Sequence, residues 1–181
     1  MKFVPTEIAE VIVIEPRVLG DHRGYFVETW HAGRFADAGL DLKFVQDNES
    51  RSARNVLRGL HYQVQQPQGK LVRVVEGEIL DVAVDLRRSS STFGRWTGAT
   101  LSAANHRQMW VPPGFAHGFC VLSDHATVIY KCTDFYAPEH ERSLLWNDAE
   151  VGVRWPIGEE VAVLSARDRA GRRLADAETY P

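Results

Sequence analysis

Alternating apolar and polar residues dominate this 181-residue chain, and the alternation predicts strands far more often than helices. Val11-Ile12-Val13-Ile14 reads as a strand closed by Glu15-Pro16. Asp21-His22-Arg23-Gly24 is a turn, and a strand follows from Tyr25 to Thr29. Further strands are predicted over 44–50, 56–64, 95–101, 107–111, 116–122 and 127–133, with two more, 71–76 and 79–86, around a turn at Gly77-Glu78. In the 79–86 strand Leu80, Val82, Val84 and Leu86 share one face, and Ile79, Asp81, Ala83 and Asp85 share the other. His31 to Leu40 is the best helix candidate, with Phe35 and Leu40 as apolar anchors and Gly39 as its C-cap. From Glu159 onward, short apolar pieces mixed with Arg167, Arg169, Arg172 and Arg173 fit a short helix or a loop packed on the strands. Short strands at roughly ten-residue intervals, punctuated by Gly and Pro, point to a closed all-β sandwich or barrel. The length fits one domain spanning residues 1–181.

Composition narrows the class. The chain is 44% hydrophobic and 25% charged, which excludes a disordered, collagenous or coiled-coil protein. A net charge of −3 argues against a general nucleic-acid binder. No apolar run is long enough for a membrane-spanning helix, and the first residues lack the apolar stretch of a signal peptide. Cys120 and Cys132 sit in apolar strand text without metal-ligand spacing, as expected of reduced thiols in a cytoplasmic protein. Among 4 Lys and 17 Arg, Lys70 stands out because it enters a predicted strand behind Gln68-Gly69.

Four clusters carry candidate chemistry. In Arg58-Gly59-Leu60-His61-Tyr62-Gln63, strict alternation puts Arg58 and His61 on opposite faces. Both reach one pocket only if the strand bulges, and Gly59 is the residue to allow it. The same text fits a plain strand with one outward Arg and one hydrogen-bonded core His. Lys70 marks the second cluster and is either a solvated barrel-mouth cation or a pocket group. In Pro112-Pro113-Gly114-Phe115-Ala116-His117-Gly118-Phe119, prolines and glycines set a tight turn that aims the His117 imidazole. Tyr130 shares a face with Val128 and Cys132, so it is either a core tyrosine or a phenol projecting into a cavity.

Metal and cofactor chemistry find little support. His61-Tyr62-Gln63 lacks the second histidine of the His-x-His pair that metal-binding β-barrels use, and histidines 22, 31, 106, 125 and 140 lie in polar or turn text. No phosphate loop, dinucleotide fingerprint or GxSxG elbow occurs. A bound phosphate would need scattered arginines such as Arg23 and Arg58, each beside a glycine.

Taken in order, these segments resemble the dTDP-4-dehydrorhamnose 3,5-epimerase family, a metal-free branch of the jelly-roll cupins. The carrying text is Asp21-His22-Arg23-Gly24-Tyr25-Phe26, Phe44-Val45-Gln46-Asp47-Asn48, Arg58 to Gln63, Gln68 to Val74, Pro113 to Phe119, Tyr130, Tyr136 to Glu141 and Leu164 to Asp168. The resemblance implies a jelly-roll sandwich with a few short peripheral helices and a cofactor-free isomerase. Its substrate would be a dTDP-4-keto-6-deoxy sugar, epimerised at carbons 3 and 5 through an enolate. It further implies His61 as base, Asp168 as its carboxylate partner, Lys70 facing the carbon-4 oxygen and Tyr130 as the opposing acid. A phenol can serve as that acid if local charge lowers its pKa from about 10. Arg23, Phe26, Glu28, Gln46, Asn48, Arg58, His117, Tyr136, Glu141 and Arg167 match substrate-holding positions. Arg23, Phe26 and Glu28 would reach a partner's pocket, so a homodimer is implied. A single epimerase or ketoisomerase, or a non-catalytic sugar-binding cupin, would share much of this text.

Three departures stand out. The stretch between His61 and Lys70 is one residue shorter than usual, Arg167 replaces a commoner Lys, and Phe135-Tyr136 replaces a Tyr-Tyr pair. A short loop that only turns between strands would matter little, whereas one that lines the sugar would shift specificity.

Overall fold

The alternation is realised as thirteen strands in three antiparallel sheets, with two short helices. The computed structural model describes all residues from Met1 to Pro181. One sheet has six strands, in the order β1 (Lys2–Pro5), β2 (Ile12–Glu15), β10 (Gln108–Val111), β7 (Lys70–Glu76), β12 (His125–Cys132), β5 (Gln46–Ala53). The second has five, in the order β13 (Glu141–Ser143), β6 (Leu57–Gln63), β11 (Phe115–Val121), β8 (Glu78–Asp85), β9 (Trp96–Ser102). The third is a hairpin of β3 (Val18–Asp21) and β4 (Gly24–Val27). The two large sheets face each other as a jelly-roll sandwich. The helices, α1 (Ala32–Asp37) and α2 (Ala166–Arg169), are peripheral.

The predicted face division of 79–86 explains the layering. Ile79 and Ala83 pack inward with Val72, Val74, Met109, Phe119 and Val128 between the sheets. Val82, Val84 and Leu86 pack outward beneath Leu174, Ala177, Trp155 and Tyr180 of the C-terminal segment. Strand β8 is thus covered on both faces, and each fully buried Val, Leu or Ile contributes roughly 1.5–3 kcal/mol. Helix α1 starts where His31 Nδ1 accepts from the Arg34 amide at 3.3 Å. Its Phe35 packs with Ile14, Leu71 and Trp110, a cluster separate from the inter-sheet core.

The turn at Gly77 does not close a β-ladder. Strand β7 pairs with β10 and β12, whereas β8 pairs with β11 and β9, so the chain crosses here from one sheet to the other. Gly77 is at φ +78°, and a Cβ there would come within 2.0 Å of the His125 carbonyl oxygen. Strands β1, β3 and β13 were not anticipated: they have three or four residues, and β3 is exposed along its whole length, so no alternation marks them. The β3–β4 hairpin leaves Tyr25 65% and Phe26 69% exposed, although the Tyr25 ring also packs against His106, 4.7 Å between centroids. No helix is long and apolar enough to cross a membrane.

Candidate active site

The site begins with the bulge expected at Gly59. In the β6–β11 ladder His61 pairs with His117 and Arg58 with Phe119, so three steps on β6 oppose two on β11. Gly59 takes φ +132°, and a Cβ there would lie 2.5 Å from the Gly118 Cα. The shift turns Arg58 and His61 toward one cavity, which alternation alone forbids.

That cavity, of about 130 Å³, lies between the sheets and is lined by Ser50, Arg58, His61, Lys70, His117, Gly118, Phe119 and Tyr130. His61 Nε2 donates to Asp168 Oδ1 at 2.6 Å. Asp168 is placed by a local capping motif: Ser165 caps α2, its Oγ accepting the Asp168 amide at 3.1 Å and donating to Oδ2 at 2.7 Å. Burial pushes the Asp168 carboxyl up, but hydrogen bonds from His61 and Ser165 outweigh it and leave it below the ordinary value. Lys70 is buried, and its Nζ makes only a long 3.5 Å contact to the His61 carbonyl. Burial pulls its pKa down, while Cys132, Glu141 and Asp81 partly restore the charge. Arg58 is braced by Nε donation to Ser52 Oγ at 2.9 Å.

Tyr130 lies on the inward face with Val128 and Cys132, packed against the main core. Its pKa is raised, not lowered. Burial is the largest influence and raises it, the nearby Arg58 only partly offsetting this. The phenol therefore keeps its proton more firmly than a free tyrosine.

A second section of about 320 Å³ shares His61, Lys70 and Tyr130 and adds Gln46, Asn48, Gln68, Tyr136 and Glu141. Gln46 donates to Asn48 at 3.0 Å and accepts the Tyr136 amide at 2.9 Å. The Tyr136 hydroxyl donates to Glu141 Oε2 at 2.5 Å, and Glu141 also pairs with Arg167. Burial raises the Glu141 carboxyl, but Arg167 and Tyr136 bring it below its ordinary value. Gln68, in the short loop before Lys70, lines this outer section and not the inner one.

A family model described as dTDP-4-dehydrorhamnose 3,5-epimerase matches residues 5–176. The chain belongs to the dTDP-4-dehydrorhamnose 3,5-epimerase family. It is 57% identical to a dTDP-4-dehydrorhamnose 3,5-epimerase from Pseudomonas aeruginosa, aligned over 100% of both chains. It superposes on the crystal structure of a 3,5-epimerase from Legionella pneumophila, in complex with dTDP-4-keto-L-rhamnose, with a TM-score of 0.94. That match has 50% identity and covers 98% of this chain and 94% of the other. A dTDP-4-dehydrorhamnose 3-epimerase from Streptomyces niveus is 39% identical over 98% of this chain and 86% of its own.

In this epimerase-family chain the cleft gathers His61, Lys70, Tyr130, Arg58, His117, Gln46, Asn48, Tyr136 and Glu141, with Asp168 and Arg167 bonded to its walls. Arg23, Phe26 and Glu28 line neither section. Arg23 is held on the hairpin turn by Asp21 at 2.6 Å, and Glu28 pairs with Arg34 at 2.8 Å. Two groups escaped the sequence reading as site residues. Ser50 lines the inner section, and fully buried Asp81 bonds His117 Nε2 at 2.7 Å. A carboxylate on the inward face of a buried strand was the available signal for Asp81. No group of three or more His, Cys, Asp or Glu side chains is arranged to hold a metal ion.

Proposed function

We propose that this protein is a dTDP-4-dehydrorhamnose 3,5-epimerase, acting on the dTDP-linked 4-keto-6-deoxy sugar without a cofactor. The observation that carries the reading is one small cavity walled by a carboxylate-backed imidazole, a buried ammonium and a half-buried phenol. The ketone at carbon 4 acidifies the hydrogens on carbons 3 and 5. His61 takes one of them through Nδ1, since Asp168 holds the proton on Nε2. The carbon–hydrogen electron pair moves into an enolate, and charge collects on the carbon-4 oxygen. Lys70 faces that oxygen, and its burial strengthens the attraction because little water screens it. Tyr130 returns a proton from the opposite face, its raised pKa keeping the phenol loaded. Solvent then resets both groups before the second carbon reacts.

Gln46, Asn48, Tyr136 and Glu141, the last paired with Arg167, line the outer section, which suits the nucleotide, while Arg58 at the inner section suits the diphosphate. Replacing Tyr130 by Phe tests the division of labour. In heavy water the variant is expected to wash deuterium into recovered substrate while product formation falls by about a hundredfold or more. Normal inversion by Tyr130→Phe would contradict the assignment.

The exposed Tyr25 and Phe26 of the hairpin, with Arg23 at its tip, suit insertion into a second copy's outer section as a homodimer. Mixing an Arg23→Ala, Phe26→Ala chain with a His61→Asn chain is expected to recover activity that neither has alone. Each mixed dimer then holds one intact catalytic pocket supplied with one intact hairpin. A mixture as inactive as its parts would contradict exchange of residues between subunits.

A further inference from the structure

Asp81 is the one fully buried charge beside the cleft that the mechanism above leaves unused. It projects inward from β8, next to β11, and Oδ1 meets His117 Nε2 at 2.7 Å. Its other oxygen, Oδ2, is buried and has no hydrogen-bond partner. His117 stands opposite His61 in the β6–β11 ladder. The inner cavity is therefore walled by two adjacent imidazoles, each tied through Nε2 to a buried carboxylate.

A carboxylate only accepts, so His117 Nε2 carries a hydrogen, and the neutral ring then has its lone pair on Nδ1. Filling the space is a poor explanation for the pair. Burying a carboxylate with one oxygen unmatched is costly, and apolar residues of equal volume would pack there without that cost. The cavity also has few free acceptors. Lys70 and Arg58 only donate, Tyr130 is committed to donating, and His61 Nδ1 is committed to a carbon-bound hydrogen. A keto sugar brings ring hydroxyls that need an acceptor. His117 Nδ1 and the Ser50 hydroxyl remain, and only His117 is fixed by a buried anion.

We propose that Asp81 is a positioning residue that fixes His117 as the Nδ1 acceptor for a ring hydroxyl of the keto sugar. The sugar's identity rests on the epimerase reading; the tautomer does not.

The test is a long-range nitrogen–proton NMR spectrum of the histidine rings without substrate, with His117 assigned by its absence in His117→Gln. The expected result is His117 protonated at Nε2 in the wild type and shifted toward Nδ1 protonation in Asp81→Asn. In that variant kcat/KM should fall about tenfold, through a raised KM for the keto-sugar nucleotide, with dTDP affinity unchanged. A wild-type His117 protonated at Nδ1, or an Asp81→Asn enzyme with unaltered kcat/KM, would overturn the proposal. The wild-type spectrum decides the tautomer even if the variant fails to fold. Failure of the epimerase reading shows elsewhere, in the exchange of substrate hydrogens with solvent.

Discussion

Replacing His61 by Asn is expected to abolish turnover while dTDP still binds. Asn fills similar space but takes up no proton, and a positioned general base contributes about 10²–10⁴-fold in rate. The outer section would stay intact, because Gln46, Asn48, Tyr136 and Glu141 hold one another in place without His61. The loss would therefore fall on kcat. A coupled reductase assay reads the rate, and titration calorimetry with dTDP reads the binding. Near-normal turnover in His61→Asn would remove the base from the account.

Replacing Lys70 by Met is expected to separate function from stability. Activity should fall by roughly 10²–10³-fold, the usual loss when one oxyanion-stabilising donor is removed. The fold should become more stable, because burial of the ammonium outweighs the pull of Cys132, Glu141 and Asp81. The pH dependence has a definite sign. The folded-state pKa lies below the ordinary 10.5, so between the two values the unfolded chain binds more protons than the folded one. Wild-type stability should rise with pH across that interval, and Lys70→Met should lack this rise. Urea unfolding from pH 7 to 10 checks it. A variant less stable than the wild type at pH 7, or active within tenfold of it, would contradict the assignment.

Local pattern and distant contact divide what was legible in the sequence. The inward face of Tyr130 follows from alternation alone, and the bulge at Gly59 from asking how Arg58 and His61 reach one pocket. Asp168 was reached only through resemblance, although Ser165-x-x-Asp168 writes a local cap that orients its carboxylate. The crossing at Gly77 was hidden, since a glycine turn between two strands looks alike whether they pair or part. The His117–Asp81 bond joins residues 36 positions apart through β-ladder register, which no local pattern records. The raised pKa of Tyr130 is likewise set by tertiary packing, since burial outweighs the nearby Arg58 charge.

Solvent isotope incorporation tests the central claim most directly. The purified protein is incubated with the dTDP-linked 4-keto-6-deoxy-D-glucose in heavy water, with a chelator present, and the product is read by mass spectrometry and NMR. Deuterium at both carbon 3 and carbon 5, in an L-configured sugar that the downstream reductase accepts, is the predicted result. Deuterium at one carbon alone would mark a single epimerase, and none at either would contradict proton-transfer epimerisation altogether.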